Sequence, residues 1–307
     1  MNAPALNSIN KAIVRGPKVI LMGAPGTGKT DAIRTLIEAG LKVVAVFSEP
    51  GMEVLIDERR GRKVYTCADG LHWRYHPVAT PDWSDLATIA KLMNMYSYKQ
   101  LSEQAPLGRE KYTAFMDIIA TMGNFKCERC GKVLGPIDRL EPYHEWAIVQ
   151  DSLSSLSLAC LYGLVGNKPG IHEGEWGVAM GNMERLCNKF AYDVPSMMVM
   201  TAHIEPEPDP TSGGTRMMVS TLGKKLAPKI PRAWSDVILA IRQGGEFKWS
   251  TTDMQAFLKT RNFDFSNSIN PSFVPLVQEW HKRIRAETAA SEASKATAAA
   301  VQQAGGR

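Results

Sequence analysis

No apolar run in this 307-residue chain is long enough to cross a bilayer. The longest, "KVILMGA" and "VVAVF", fall far short of the roughly 20 residues that a spanning helix needs. The opening stretch "MNAPALNSINKAIVRG" lacks the apolar core of a secretion signal. A cytoplasmic protein with no membrane partner is therefore expected. Cysteine is scarce: there are five, an odd number, widely scattered. That excludes a disulfide framework and leaves reduced thiols. Charge of one sign is scarce too. A net +5 from 36 basic and 31 acidic side chains neither demands nor forbids a polyanionic partner, so local clustering has to decide. No internal repeat is present. What remains is 44% hydrophobic and 22% charged, ordinary for one large α/β domain or two small ones.

The chain opens with strand, loop, helix, strand over residues 17–48. "PKVILM" is a buried strand, "GAPGTGKT" a loop, "DAIRTLIEAG" a helix ended by Gly40, and "KVVAVFSEPG" a second strand. Continuous apolar strands joined by a helix predict a parallel sheet covered on both faces. Residues 52–145 are less regular. "LHWRYHPV" reads as a strand, "DWSDLATIAKLMNMYSY" as a helix capped by Asp82 or Ser84, "REKYTAFMDIIATMGN" as another helix, and "FKCERCGKVLGP" as a hairpin. The parallel sheet resumes with "WAIVQD" and, after the helix "GVAMGNMERLCNKFAYD", with "SMMVMTAH". The segments "DVILAIRQ", "EFKWSTT" and "AFLKTRN" predict an antiparallel extension. Residues 284–307, rich in Ala, Ser and Gln with almost nothing to bury, have the composition of a transient helix and read as a solvated, flexible tail.

Gly23, Gly28, Lys29 and Thr30 fit the pattern G-x-x-x-x-G-K-S/T between a strand and a helix. The whole loop, Gly23, Ala24, Pro25, Gly26, Thr27, Gly28, Lys29 and Thr30, is the expected ATP cradle. Its glycines let the backbone curl so that several N–H groups face one anion, and the following helix adds its positive end. Lys29 is placed to reach the β- and γ-phosphates, and the Thr30 hydroxyl to ligate Mg2+. Asp151 ends an apolar strand and is the expected second Mg2+ ligand. Ser152, not glutamate, follows it, so the general base must lie elsewhere. Glu49, at the end of the strand after the P-loop helix, opens on the same sheet edge and can polarise a water. "SMMVMTAH" ends in Thr201, read as a capping polar residue, and His203, read as a γ-phosphate sensor. Lys259 and Arg261, two apart in "AFLKTRNF" on a late strand, point to the same face and are placed to reach the phosphates of a neighbouring subunit.

Taken in order, "GAPGTGKT", the acid of "FSEPG", "AIVQDSLSSLS", "VMTAH" and "LKTRN" resemble the RecA-like ATPase superfamily over about residues 17–282. More closely, "GNMERLCNKF", "TAHIEPEPD" and "TLGKKLAPKIPRAWSDVI" are similar to a bacteriophage and prophage subgroup of AAA-family ATPases, itself similar to RecA-like phage proteins of recombination and single-strand annealing. The resemblance implies a RecA-like P-loop core over residues 16–283, after an N-terminal extension at 1–15. Its mostly parallel sheet is flanked by helices and extended antiparallel at the C-terminal side, with an irregular insertion at about 60–143. It also implies Glu49 as base, His203 as sensor, Lys259 and Arg261 as fingers acting in trans, and homo-oligomers with ATP between subunits. Its other implications are host bacterial cytoplasm as location and, as a further partner, a single-stranded-DNA-binding protein.

In that superfamily the loop after the sensor strand lines the DNA channel. Here it carries Arg216, Lys224, Lys225, Lys229 and Arg232, with no acid between residues 210 and 235. These are the expected contacts to single-stranded DNA, through phosphates rather than base edges. "PTSGG" has a mobile loop's composition. "CERCGK" is half a zinc site: Cys127 and Cys130 bracket a turn, and the missing ligands are to be sought among Cys67, His72, His76 and His144. A zinc there would be structural. The expected function is a DNA-stimulated ATPase of recombination, annealing or repair. The alternatives are a ring helicase or translocating motor of the same core, a nucleotide kinase with the cysteine hairpin as its lid, and a scaffold that does not hydrolyse ATP.

Overall fold

The computed structural model describes residues 14–58, 63–208, 213–253 and 255–304. Residues 1–13 of the expected N-terminal extension, 210–212 of "PTSGG" and 305–307 of the tail lie outside them. β1 (Lys18–Gly23) runs into the P-loop, and a single 3-10 turn and α1 (Arg34–Glu38) lead back to β2 (Lys42–Phe47). A short α2 (Glu53–Ile56) precedes β3 (Leu71–Tyr75). There follow α3 (Trp83–Met95), α4 (Tyr98–Ser102), α5 (Ala114–Gly123), the small strands β4 (Phe125–Lys126) and β5 (Val133–Gly135), and β6 (Trp146–Asp151). Next, α6 (Leu153–Val165) and α7 (Glu173–Tyr192) connect to β7 (Met197–Ala202), which opens into β8 (Ile204–Pro208) and β9 (Thr215–Val219). Finally α8 (Gly223–Leu226) and α9 (Ile230–Ala233) lead to β10 (Asp236–Gln243), β11 (Glu246–Ser250) and α10 (Val274–Ala304).

Seven strands form the central sheet in the order β11-β10-β1-β7-β6-β2-β3. All pairs are parallel except β10 with β11. Strands buried on both faces read as unbroken apolar runs, and alternate residues divide between two cores. Val19, Leu21, Val43, Ala45 and Val149 face α1 and the first turns of α10. Ile20, Met22, Val44, Ile148 and Met200 face α5, α6 and α7. Each of these Val, Leu, Ile and Met side chains contributes about 1.5–3 kcal/mol by leaving water. The sheet therefore forms a stiff platform whose carboxyl edge carries the loops. Gly40, at φ +88°, ends α1 as expected, since a left-handed residue lets the last carbonyls be capped. Asp82 caps α3 and accepts hydrogen bonds from the backbone N–H groups of Ser84 and Asp85.

Three expectations are revised. β10 is parallel to β1, not part of an antiparallel extension; only β11 runs antiparallel. The segment "AFLKTRN" forms isolated bridges, Met217 with Ala256 and Val237 with Lys259, rather than a strand. The alanine-rich segment after residue 283 continues α10 to Ala304, as its alanine content favours. Its described side chains up to Lys295 are mostly exposed, so it is solvated but helical. β3, which falls within the segment read as an insertion, is an edge strand of the central sheet. Among the described residues no helix is long and apolar enough to cross a membrane.

Candidate functional site

The loops after β1, β2 and β7 line one cleft of about 630 Å³, and the end of β6 lies buried beside it, against Thr30. Gly28 and Gly26 take φ values of +80° and +75°, as the tight loop requires. A Cβ on Gly23 would stand 2.5 Å from the Ala240 carbonyl oxygen and 2.8 Å from Thr27 Oγ1, so glycine is compulsory there. Lys29 Nζ donates to the carbonyls of Gly23 and Ala24, both at 2.9 Å. Burial pushes its pKa down, against the charges of Asp151 and Glu49, which raise it.

Asp151 is buried and held from two sides. Thr30 Oγ1 donates to Asp151 Oδ2 at 2.7 Å, and Thr201 Oγ1 donates to Asp151 Oδ1. Burial raises the Asp151 carboxyl above its ordinary range, against the hydrogen bonds of Thr201 and Thr30, which lower it. A carboxylate and a hydroxyl side by side are hard oxygen donors, suited to Mg2+. Beneath them Ser48, Ser152 and Ser155 form a buried hydroxyl network: Ser48 Oγ lies 2.7 Å from Ser155 Oγ, and the Ser152 N–H donates to Ser48 Oγ at 3.2 Å. This fixes the end of β6 against that of β2.

Glu49 and His203 touch. His203 Nε2 lies 3.2 Å from Glu49 Oε2. Burial pushes the Glu49 carboxyl up, but hydrogen bonding and charge from His203, a hydrogen bond from Ser152 and the Lys29 charge outweigh it. Glu49 thus sits below its ordinary value and is ionised at neutral pH. A carboxylate lining the cleft beside the P-loop lysine has the protonation state that a general base needs. His203 is also bound to the element that follows it. Its backbone N–H donates to Ser154 Oγ at 3.0 Å, its carbonyl accepts from the Ser220 N–H at 2.8 Å, and Ser154 Oγ donates to the Ser220 carbonyl at 2.9 Å. Both ends of the β8–β9 hairpin are thereby tied to the cleft.

The five basic residues expected at DNA are not equivalent. Lys224 Nζ lies 3.7 Å from Glu207, and Lys229 Nζ 2.9 Å from Glu184; Arg216 on β9 stands opposite Glu207 on β8. The stretch without acids in sequence thus acquires them from β8 and α7. Lys225 and Arg232 are exposed. Lys259 departs from expectation: with no strand to present it, its ammonium donates to the carbonyls of Trp234 at 2.6 Å and Arg232 at 3.1 Å. Arg261 is exposed, and its backbone N–H donates to Asp236 at the start of β10. Both lie at the sheet end opposite their own P-loop, since Val237 pairs with Lys259 and with Ile20, while Gly23 pairs with Ala240.

Thr201, read as a strand cap, is in fact a partner of Asp151. Arg242 and Phe247, which line the cleft from β10 and β11 with the guanidinium 5.8 Å from the ring centroid, gave no local signal. The cysteine hairpin lies elsewhere. Cys67 and His72 border a surface hollow with Lys42 and Trp146, at the starting ends of β2 and β6. His72 and Cys67 come together with Cys127 and Cys130, whereas His76 is bound to Thr121 and His144 meets Tyr143 edge to face. Among the described residues no part of the hairpin lines the cleft at the P-loop.

No protein-family model matches the chain, and no curated protein matches it. Among solved structures that do match is the crystal structure of the RadB recombinase, aligned over 83% of this chain and 86% of that one, at 8% sequence identity and a TM-score of 0.36. A likeness that distant carries no functional argument, and the residues of the cleft must supply it.

Proposed function

We propose that the chain is a RecA-like ATPase that binds ATP with Mg2+, hydrolyses it, and acts on single-stranded DNA in phage recombination, annealing or repair. The observation that carries this reading is the P-loop with Asp151 held by Thr30 and Thr201, together with Glu49 in contact with His203. The His203 backbone is bound in turn to Ser154 and, across the two ends of the β8–β9 hairpin, to Ser220. The P-loop amides and Lys29 bind the phosphates, while Thr30 and Asp151 hold Mg2+. ATP would supply the phosphoryl group, and Mg2+ held by Thr30 and Asp151 would supply positive charge beside the phosphates. Glu49 accepts the proton of a water aligned with the γ-phosphate. His203, bound to Glu49 on one side and to Ser220 on the other, passes the phosphate state to the hairpin, where Lys225, Arg232, Arg216, Lys224 and Lys229 contact DNA. Subunits assemble with ATP between them, and Arg261, with Lys259 placed beside it, reaches the phosphates of a neighbour.

Glu49→Gln separates binding from chemistry. The variant should retain ATP affinity while turnover falls by about 10²–10⁴-fold, the usual contribution of a positioned base. Fluorescent-nucleotide titration and phosphate release measure the two. Turnover equal to wild type would refute Glu49 as base.

A further inference from the structure

Four metal-ligand side chains from three separate segments converge at the edge of the sheet. Cys67 stands in the single turn Cys67–Asp69 before β3, His72 is the second residue of β3, and Cys127 and Cys130 flank the tip of the β4–β5 hairpin. Their ligand atoms all lie within 4.8 Å of one another. Cys67 Sγ is 3.7 Å from Cys127 Sγ, and Cys130 Sγ is 3.7 Å from His72 Nδ1. A tetrahedron built on zinc–sulfur bonds of about 2.3 Å has edges of about 3.8 Å, so the observed spacings are those of ligands around one small ion. They are far too long for a disulfide, whose sulfurs stand about 2 Å apart, and all five cysteines are free.

We infer that Cys67, His72, Cys127 and Cys130 form a Cys3His zinc site. Three soft sulfurs and an imidazole in tetrahedral spacing suit Zn2+, and a closed set of four protein ligands leaves no position for substrate, so the site is structural. What it holds is visible in the hydrogen bonds beside it. β3 is an edge strand, and an unpaired edge is a template for association with other chains. The hairpin tip covers it: the Glu128 N–H donates to the Trp73 carbonyl at 2.9 Å, and the Tyr75 N–H donates to the Glu128 carboxylate at 3.0 Å. Strands of two and three residues cannot hold a hairpin together unaided. Zinc, bonded to β3 through His72 and to the hairpin through its two cysteines, latches this plug onto the sheet. Gly131, at φ +70° directly after Cys130, allows the turn that aims both sulfurs inward. The site lies at the opposite end of the sheet from the P-loop, so the inference stands apart from the nucleotide chemistry.

The test is metal analysis of the full-length chain purified without chelator, followed by replacement with Co2+. One zinc per chain is expected, with a cobalt spectrum of tetrahedral d–d bands and thiolate charge transfer. Cys130→Ser, chosen because Cys130 is exposed and its loss opens no core, should lose the stoichiometric zinc, as should His72→Ala. His72→Cys should keep zinc and strengthen the charge-transfer band. Cys187→Ser, buried on α7 away from the cluster, should retain it. Removing the metal should speed hydrogen exchange at the Tyr75 and Glu128 amides without altering ATP binding. A zinc-free chain, zinc retained in both Cys130→Ser and His72→Ala, an iron–sulfur chromophore, or a Cys67–Cys127 disulfide in the purified protein would each overturn the inference.

Discussion

Lys18 stands at the start of β1, with its ammonium enclosed between the carbonyls of Ser196 and Gly16 at 2.6 and 3.0 Å. Burial, aided by the charge of Arg15, lowers its pKa to about 7, whereas in the unfolded chain it keeps a lysine's ordinary value of about 10.4. Between those values the unfolded state holds a proton that the folded state lacks, so folding grows more favourable as pH rises. The stability tied to Lys18 is fully present above the unfolded value and is lost as pH falls through about 7. Inside the window the slope approaches about 1.4 kcal/mol per pH unit. Lys18→Met removes that slope, so the stability advantage of the variant should be largest near neutrality and shrink towards alkaline pH. Urea unfolding of both proteins from about pH 7 to about pH 9 measures this; parallel pH dependences would contradict it. The cleft offers the same lesson in residue detail. Lys29 and Asp151 were legible in the sequence because a P-loop and a strand-terminal acid are local patterns. Thr201 was not, because its role depends on β7 lying beside β6, which spacing along the chain does not reveal.

The β8–β9 hairpin and the helices after it are where the phosphate state would become a grip on DNA. Their basic residues were legible, but their partners were not: Glu207 comes from the opposing strand and Glu184 from α7. Cations already paired release fewer counterions on binding phosphates. Lys225→Ala and Arg232→Ala should each weaken single-stranded DNA binding and reduce the salt slope by about one, while Lys224→Ala and Lys229→Ala should do less. Salt titrations of the four variants decide the order, and a larger effect at Lys229 than at Lys225 would contradict it. The direction of β10 was hidden for a similar reason. A hydrophobic run specifies a strand, but its direction follows from the crossover that delivers it. Cys67 and His72 were open candidates only, because roughly 60 residues separate them from the hairpin, and no paired spacing marks them.

At the scale of the whole molecule, Arg261 lies at the sheet end away from its own P-loop, and under the proposed function it would act on the ATP of a neighbouring subunit. Arg261→Ala should abolish turnover while leaving nucleotide binding intact. Mixing it with Lys29→Ala should restore part of the activity, because some interfaces then join an intact P-loop to an intact Arg261. No recovery in the mixture, with both variants still assembling, would argue against a finger in trans. The central claim, that ATP turnover at Lys29, Asp151 and Glu49 is coupled to DNA, is tested most directly by steady-state phosphate release from wild type and Lys29→Ala, each with and without single-stranded DNA. The account predicts a wild-type rate that rises with DNA and a variant rate at background in both conditions. A wild-type rate indifferent to DNA, or phosphate passed to a nucleotide instead of water, would contradict it.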